Sequence, residues 1–171
     1  MGFLHTLENM KCNTRHSWTH TGRHESVAEH TFRVCCMAFL LEREFPGLDM
    51  NRVLKMCLIH DWGEAVTGDI PSFLKTGGDE AREMDAIHAL TARLPDREAE
   101  LNALYAEMEA RETPEAKFYK ALDRLEAVIQ HNEAPMSTWL ELEKELNLTY
   151  GVEGCAPFPF LAEVRELSNE D

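Results

Sequence analysis

Apolar residues recur at helical spacing through most of the chain, and the breaks between them fall at capping residues, prolines and glycines. Phe3, Leu4, Leu7 and Met10 predict a short helix over 3–12. The stretch Asn13 to Glu25, NTRHSWTHTGRHE, has no useful period and reads as a functional or mobile loop. Ser26-Val27-Ala28-Glu29 is a capping-box pattern, and Val27, Val34, Met37, Ala38 and Leu41 carry the next helix to about Glu44, closed by Pro46-Gly47. Asp49 caps a third helix whose stripe of Val53, Leu54, Cys57 and Leu58 leads into His60 and Asp61 before Gly63 and Gly68 loosen it.

Residues 67–78 are turn-rich; a helix over 79–94 is stopped by Pro95, and another runs from Glu98 to Ala110. Thr113-Pro114-Glu115 combines a capping hydroxyl, proline at the first helical position and an acid in the first turn. The helix it starts, to about Glu133, buries Phe118, Leu122, Leu125 and Ile129 and holds Asp123 within it. Pro135 ends it, Ser137/Thr138 with Glu141 begins a helix to about Leu148, and the loop GVEGCAPFP precedes a last helix near 161–167. No segment alternates convincingly enough for a strand. The expected architecture is all-α, about seven helices in a single domain over 1–171.

At 171 residues and 44% hydrophobic, the chain can bury one sizeable core. It contains no run of about 18 apolar residues to span a bilayer, and its first residues lack signal-peptide order. A cytoplasmic protein without membrane contact is expected. Five cysteines, with no C-x-x-C, disfavour a disulfide framework or a thiolate zinc site and are read as reduced and mostly core. The net charge of −14 argues against a nucleic-acid polymer as partner. The charge is uneven, however. Residues 11–33 carry Lys11, Arg15, Arg23 and Arg33 against Glu25 and Glu29, so a small anion can be held there.

The chemistry concentrates at Leu58-Ile59-His60-Asp61-Trp62-Gly63-Glu64 through Asp69. Such polar groups at the end of an apolar segment are costly to bury unpaired. In a helix, His60 and Glu64 share a face and Asp61 lies nearly on it. Alone the pair fits a solvated helix end. His30 and Asp123, each on a helix that must bury one face, tip the balance, since imidazoles and carboxylates suit borderline divalent metals.

With these pieces in order, the chain resembles the HD-domain metal-dependent phosphohydrolases, whose signature is H…HD…D, and within them the 5′-deoxynucleotidase branch. The resemblance is carried by Arg15, by Arg23-His24-Glu25-Ser26-Val27-Ala28-Glu29-His30, by His60 to Glu64 and Thr67 to Pro71, and by Ala116 to Asp123. It implies a helical bundle of the HD type in which His30, His60, Asp61 and Asp123 ligate one divalent ion: Mn, Co, Fe, Zn or Mg. It implies Glu64 as the catalytic carboxylate and Asp69 as a second active-site acid, positioning water or sugar. Arg15 matches the phosphate-binding arginine, a role that suits a guanidinium fork, and Arg23 is a candidate to assist or to pair with Glu25 or Glu29. Where the branch has a tryptophan after Arg15, this chain has His16, and Trp18 is the candidate to replace it. His88 and His131 are read as structural or surface residues.

The activity implied is removal of the 5′-phosphate from (deoxy)nucleoside monophosphates by metal-activated water, in a homodimer whose partner is the small nucleotide. The alternatives are a non-catalytic metal- and nucleotide-binding regulatory module, and another HD phosphodiesterase.

Overall fold

A computed structural model describes residues 2–170. Seven helices of nine residues or more carry the fold among the described residues: α3 (Val27–Leu41), α4 (Met50–Ile59), α6 (Gly77–Thr91), α7 (Glu98–Ala110), α8 (Pro114–Glu133), α9 (Glu141–Thr149) and α11 (Pro159–Leu167). Four short ones fill the connections: α1 (Gly2–Leu7), α2 (Asn9–Cys12), α5 (Glu64–Thr67) and α10 (Val152–Cys155). The helix expected over 3–12 is therefore broken at Glu8, and a helical turn interrupts the loop expected before α11.

The expectation of no strand is corrected. Thr14–Trp18 (β1) and His24–Ser26 (β2) form an antiparallel hairpin within the stretch read as a loop. Thr14 pairs with Ser26 and Trp18 with His24, so three residues of β1 lie opposite one of β2. This bulge interrupts the strict alternation of strand faces, and Arg15, His16 and Ser17 in succession all line one cavity.

Helix α8 is the axis of the molecule: α3, α4, α7, α10, α11 and β1 all pack on it. Its buried Phe118, Leu122 and Leu125 meet Val34 of α3 and Val53 and Met56 of α4 in one core. Phe45, Phe118 and Phe158 lock the far end, with ring centroids 4.5 and 4.9 Å from Phe118. Local chemistry sets the boundaries. The hydroxyl of Ser26 accepts from the Glu29 amide while Glu29 reaches back to the Ser26 amide; Asp49 caps α4 through Arg52 N, and Thr113 caps α8 through Ala116 N. Helix α9 begins at Glu141, later than Ser137/Thr138, which form a 3-10 turn with Met136. Among the cysteines, all free, only Cys57 and Cys155 are buried, so the expectation of mostly core cysteines is corrected as well. No helix among the described residues is long and apolar enough to cross a membrane.

Candidate functional site

Helix α4 ends at Ile59, and the chain continues as a tight coil in which Trp62 N donates to Ile59 O and Glu64 N to Asp61 O, each at 3.0 Å. His60, Asp61 and Glu64 thus leave the end of a buried helix on consecutive short turns. Gly63 is required there: a Cβ would stand 2.6 Å from Cγ of Glu83 and 3.1 Å from its carbonyl oxygen. Helix α3 brings His30 from the opposite side, and α8 brings Asp123 from beneath.

These four side chains converge. His30 Nε2 lies 3.3 Å from His60 Nε2 and 3.0 Å from Asp123 Oδ1. His60 Nε2 is 3.1 Å from Asp61 Oδ2 and 3.6 Å from Asp123 Oδ1, and His30 Nε2 is 3.8 Å from Asp61 Oδ2. All four residues are buried.

The tautomers follow from the outer partners. His60 Nδ1 sits 2.8 Å from the carbonyl oxygen of Cys57, which only accepts, so Nδ1 carries the proton and Nε2 presents a lone pair. His30 Nδ1 likewise donates to the buried carboxylate of Glu126, whose other oxygen takes a 2.7 Å bond from Arg33 Nε. Two imidazole nitrogens and a carboxylate oxygen of Asp61 therefore form one close group of donors, and Asp123 adds an oxygen against both imidazoles. Lone pairs cannot hydrogen-bond to each other, whereas a borderline divalent cation suits this set of nitrogen and oxygen donors. The residues fit a metal. Glu25, His30 and Glu126 make a second group of potential ligands, but Arg15 and Arg33 already stand beside those carboxylates and supply their positive charge.

Without a cation, the same acids favour protonated imidazoles over free lone pairs. Burial opposes charge on His60, yet Asp61 and Asp123 outweigh it and raise its pKa well above the ordinary range; His30 is raised too, against burial and Arg15, by Asp123 and Glu126. Burial alone would raise Asp61 and Asp123; His60 and His30 with Arg15 hold Asp61 low, and Lys120, 2.6 Å from Asp123 Oδ2, leads in holding Asp123 low. Glu64 goes the other way. Burial and then the charges of Asp61 and Asp69 push its carboxyl up to about 10, and Glu64 Oε2 has no hydrogen-bond partner.

A cavity of about 700 Å³ opens over the cluster and is lined by Arg15, His60, Asp61, Glu64, Asp69 and Asp123 among others. Arg15, on β1, spans Glu25 at 3.4 Å and Asp61 at 3.6 Å, and its half-buried guanidinium stands beside the cluster. Asp69, raised by burial against the pull of Arg15, also lines the cavity. His16 lines the same cavity.

Two candidate substrate contacts lie outside the cavity lining. Arg23 takes the ion-pairing alternative: its guanidinium forks onto Glu29, at 2.9 and 2.5 Å, on the exposed side of the hairpin. Trp18 does not line the cavity either; its ring stacks on His24 at 4.0 Å, and its carbonyl accepts from Gln130 Nε2, beyond the bulge that turns Arg15 to Ser17 inward. His88 is exposed, as a surface reading expects, but His131 is in the cavity wall. Residues that sequence reasoning missed are Glu126, Glu25 and Lys120. For Glu126 a signal existed: a charge three residues after Asp123, on the same buried face as Leu122 and Leu125.

Comparison with known proteins places these features in context. An HD domain family model matches residues 7–156. The 5′-deoxynucleotidase HDDC2 of Bos taurus is 34% identical over 136 residues, which are 77% of this chain and 65% of that protein. The 5′-deoxynucleotidase hdd1 of Schizosaccharomyces pombe is 31% identical, covering 75% and 68%. The chain thus spans about two thirds of the length of these curated relatives. Among solved structures, a predicted metal-dependent phosphohydrolase from Magnetospirillum magnetotacticum MS-1 superposes with a TM-score of 0.80 at 33% identity, covering 99% of this chain and 92% of the other. A conserved hypothetical protein from Pyrococcus furiosus gives 0.71 at 28% identity, covering 96% and 98%.

Proposed function

The chain belongs to the HD domain family, and from that premise we propose that it hydrolyses nucleoside 5′-monophosphates, deoxynucleotides foremost, to nucleoside and inorganic phosphate. The observation that carries this reading is the convergence of four buried side chains, His30, His60, Asp61 and Asp123, beside the half-buried Arg15 in an open cavity. The names of the relatives supply the substrate class.

In this reading His30, His60, Asp61 and Asp123 hold one divalent cation. Such a cation, when bound, withdraws charge from phosphoryl oxygens and makes water a stronger acid. Arg15 places its fork on two phosphoryl oxygens, fixing the phosphate and offsetting the charge that builds on it. Asp61 and Glu25, its neighbours, aim that fork. Water attacks phosphorus in line with the departing 5′-oxygen. Burial and the flanking acids favour the protonated form of Glu64, and Glu64 delivers a proton to the 5′-oxygen as the phosphorus–oxygen bond breaks. Asp69, in the cavity lining, orients the attacking water.

Phosphate release from a panel of ribo- and deoxynucleoside 5′-monophosphates, each with Mn²⁺, Co²⁺, Zn²⁺ and Mg²⁺, tests this reading. Wild-type protein releases phosphate with at least one pair, and Glu64→Gln falls by about 10²- to 10⁴-fold, the usual share of a positioned acid. Equal release by the two proteins would defeat the assignment of Glu64, and no release from any pair would defeat the hydrolytic reading itself.

A further inference from the structure

The cavity extends well past the ligand cluster. On α8 the residues Asp123, Ala127, Val128 and His131 line it at helical spacing, and Glu143 and Leu146 of α9 do the same, with Tyr150 just past its end. From Asp123 to His131 is about 12 Å along the helix axis, more room than a bare phosphate needs. One end of this arm is the phosphate-binding centre of the hydrolytic reading, on which the present inference rests. The other end is polar in a specific way.

There the carboxylate of Glu143, with a side chain only 7% exposed, lies between two imidazoles. Its Oε1 is 3.0 Å from His16 Nε2, and its Oε2 takes the Leu140 amide at 2.6 Å but stands 3.8 Å from His131 Nε2. That last gap is too long for a direct hydrogen bond and wide enough for a bridging group. Neither His16 Nε2 nor His131 Nε2 has a well-formed hydrogen bond, although both atoms are buried. His131 is kept in place by Trp139, stacked at 3.9 Å, and His16 by the edge of Phe73 at 5.8 Å. Buried polar atoms left open in a cavity wall call for a partner that both donates and accepts. A hydroxyl does both.

We propose that this arm holds the nucleoside and that Glu143, with His16 and His131 on either side, binds a hydroxyl of its sugar. The hydroxyl donates to Glu143 and accepts from an imidazole N–H, while Val128, Leu146 and the Tyr150 ring cover apolar faces of the ligand. The cluster makes the protein selective for nucleotides that carry a sugar hydroxyl.

The test compares a 2′-deoxynucleoside 5′-monophosphate with its 2′,3′-dideoxy counterpart. For wild-type protein kcat/KM favours the deoxy compound by about 10- to 100-fold, the scale of a hydrogen bond to a charged group. Glu143→Gln, which keeps an acceptor for the Leu140 amide, brings that ratio close to one, and His131→Asn narrows it. A ratio removes any general loss of fold or turnover. The same preference is read without chemistry by saturation-transfer NMR, using the deoxynucleoside and dideoxynucleoside with inorganic phosphate. Nucleoside selectivity without phosphate release would fail the hydrolytic reading and uphold this one. Phosphate release with no deoxy-over-dideoxy preference, or a preference untouched by Glu143→Gln, overturns the sugar contact.

Discussion

At the scale of single residues, the site depends on charges that are out of reach of solvent and therefore must be matched within the protein. His30 and Glu126 have no exposed side-chain surface. Glu126 fixes the His30 tautomer, Arg33 balances Glu126, and Glu133 in turn takes an Arg33 N–H at 2.8 Å. A partner of this kind holds the ring in orientation and strengthens the lone pair it offers. Glu126→Gln keeps the shape and an acceptor but removes the charge. It is expected to weaken Mn²⁺ affinity by roughly 10- to 100-fold, measured by competition with a fluorescent chelator. An unchanged affinity would show that Glu126 serves the core alone.

At the scale of elements, the first turn of α3 carries both the cap and His30, so the cap orders the site. Glu29 bonds Arg23 and the Ser26 amide, and these hold its carboxyl at about 2, below the ordinary 4.5. A depressed folded-state pKa means stability that is fully present above about 4.5 and is lost as pH falls towards 2. Since the Glu29 side chain is 45% exposed, screening limits that contribution to about 1 kcal/mol. Glu29→Gln should melt below wild type at pH 7, and the gap should shrink below pH 4.5 and nearly close by about pH 2. A gap as wide at pH 2 as at pH 7 would assign the effect to the amide's poorer fit in the cap instead.

Elements also explain what the sequence made legible. The caps of α3, α4 and α8 were readable because Ser26, Asp49 and Thr113 each precede a strong apolar period. The hairpin was not. Strand β2 is His24-Glu25-Ser26, in which Glu25 and Ser26 are buried, 3% and 8% exposed, through ion pairing and capping. Burial of that sort leaves no hydrophobic alternation to detect, and the bulge in β1 removes what remained. The inward turn of His16 accompanies that bulge, which no periodicity encodes. The set of His30, His60, Asp61 and Asp123 came from the resemblance to a family; spacing alone left His60-Asp61 open to a solvated helix end. The role of His131 depends on α9 folding back over α8, a contact between segments with no shared pattern.

At the scale of the whole molecule, the candidate ligands come from α3, from the coil after α4 and from α8, three elements that form the centre of the fold. A cation bound there ties all three together, and it relieves repulsion within a chain of net charge −14. Binding to the folded state alone, at 100 times its Kd, contributes about 2.7 kcal/mol. For a chain of this size about 2–4 °C accompanies each kcal/mol, so saturating Mn²⁺ should raise Tm by roughly 5–10 °C over protein in chelator. An acidic surface also collects divalent ions, and that effect would raise Tm without any specific site. Asp123→Asn separates the two, because it alters one unit of surface charge at most while removing a ligand from the cluster. The specific site predicts that the variant loses nearly all of the Mn²⁺-dependent rise and keeps whatever rise wild type shows in Ca²⁺ by surface condensation. A full Mn²⁺ rise in Asp123→Asn would mean that the cation binds elsewhere, and the four converging side chains would then have to be explained as a proton-sharing core.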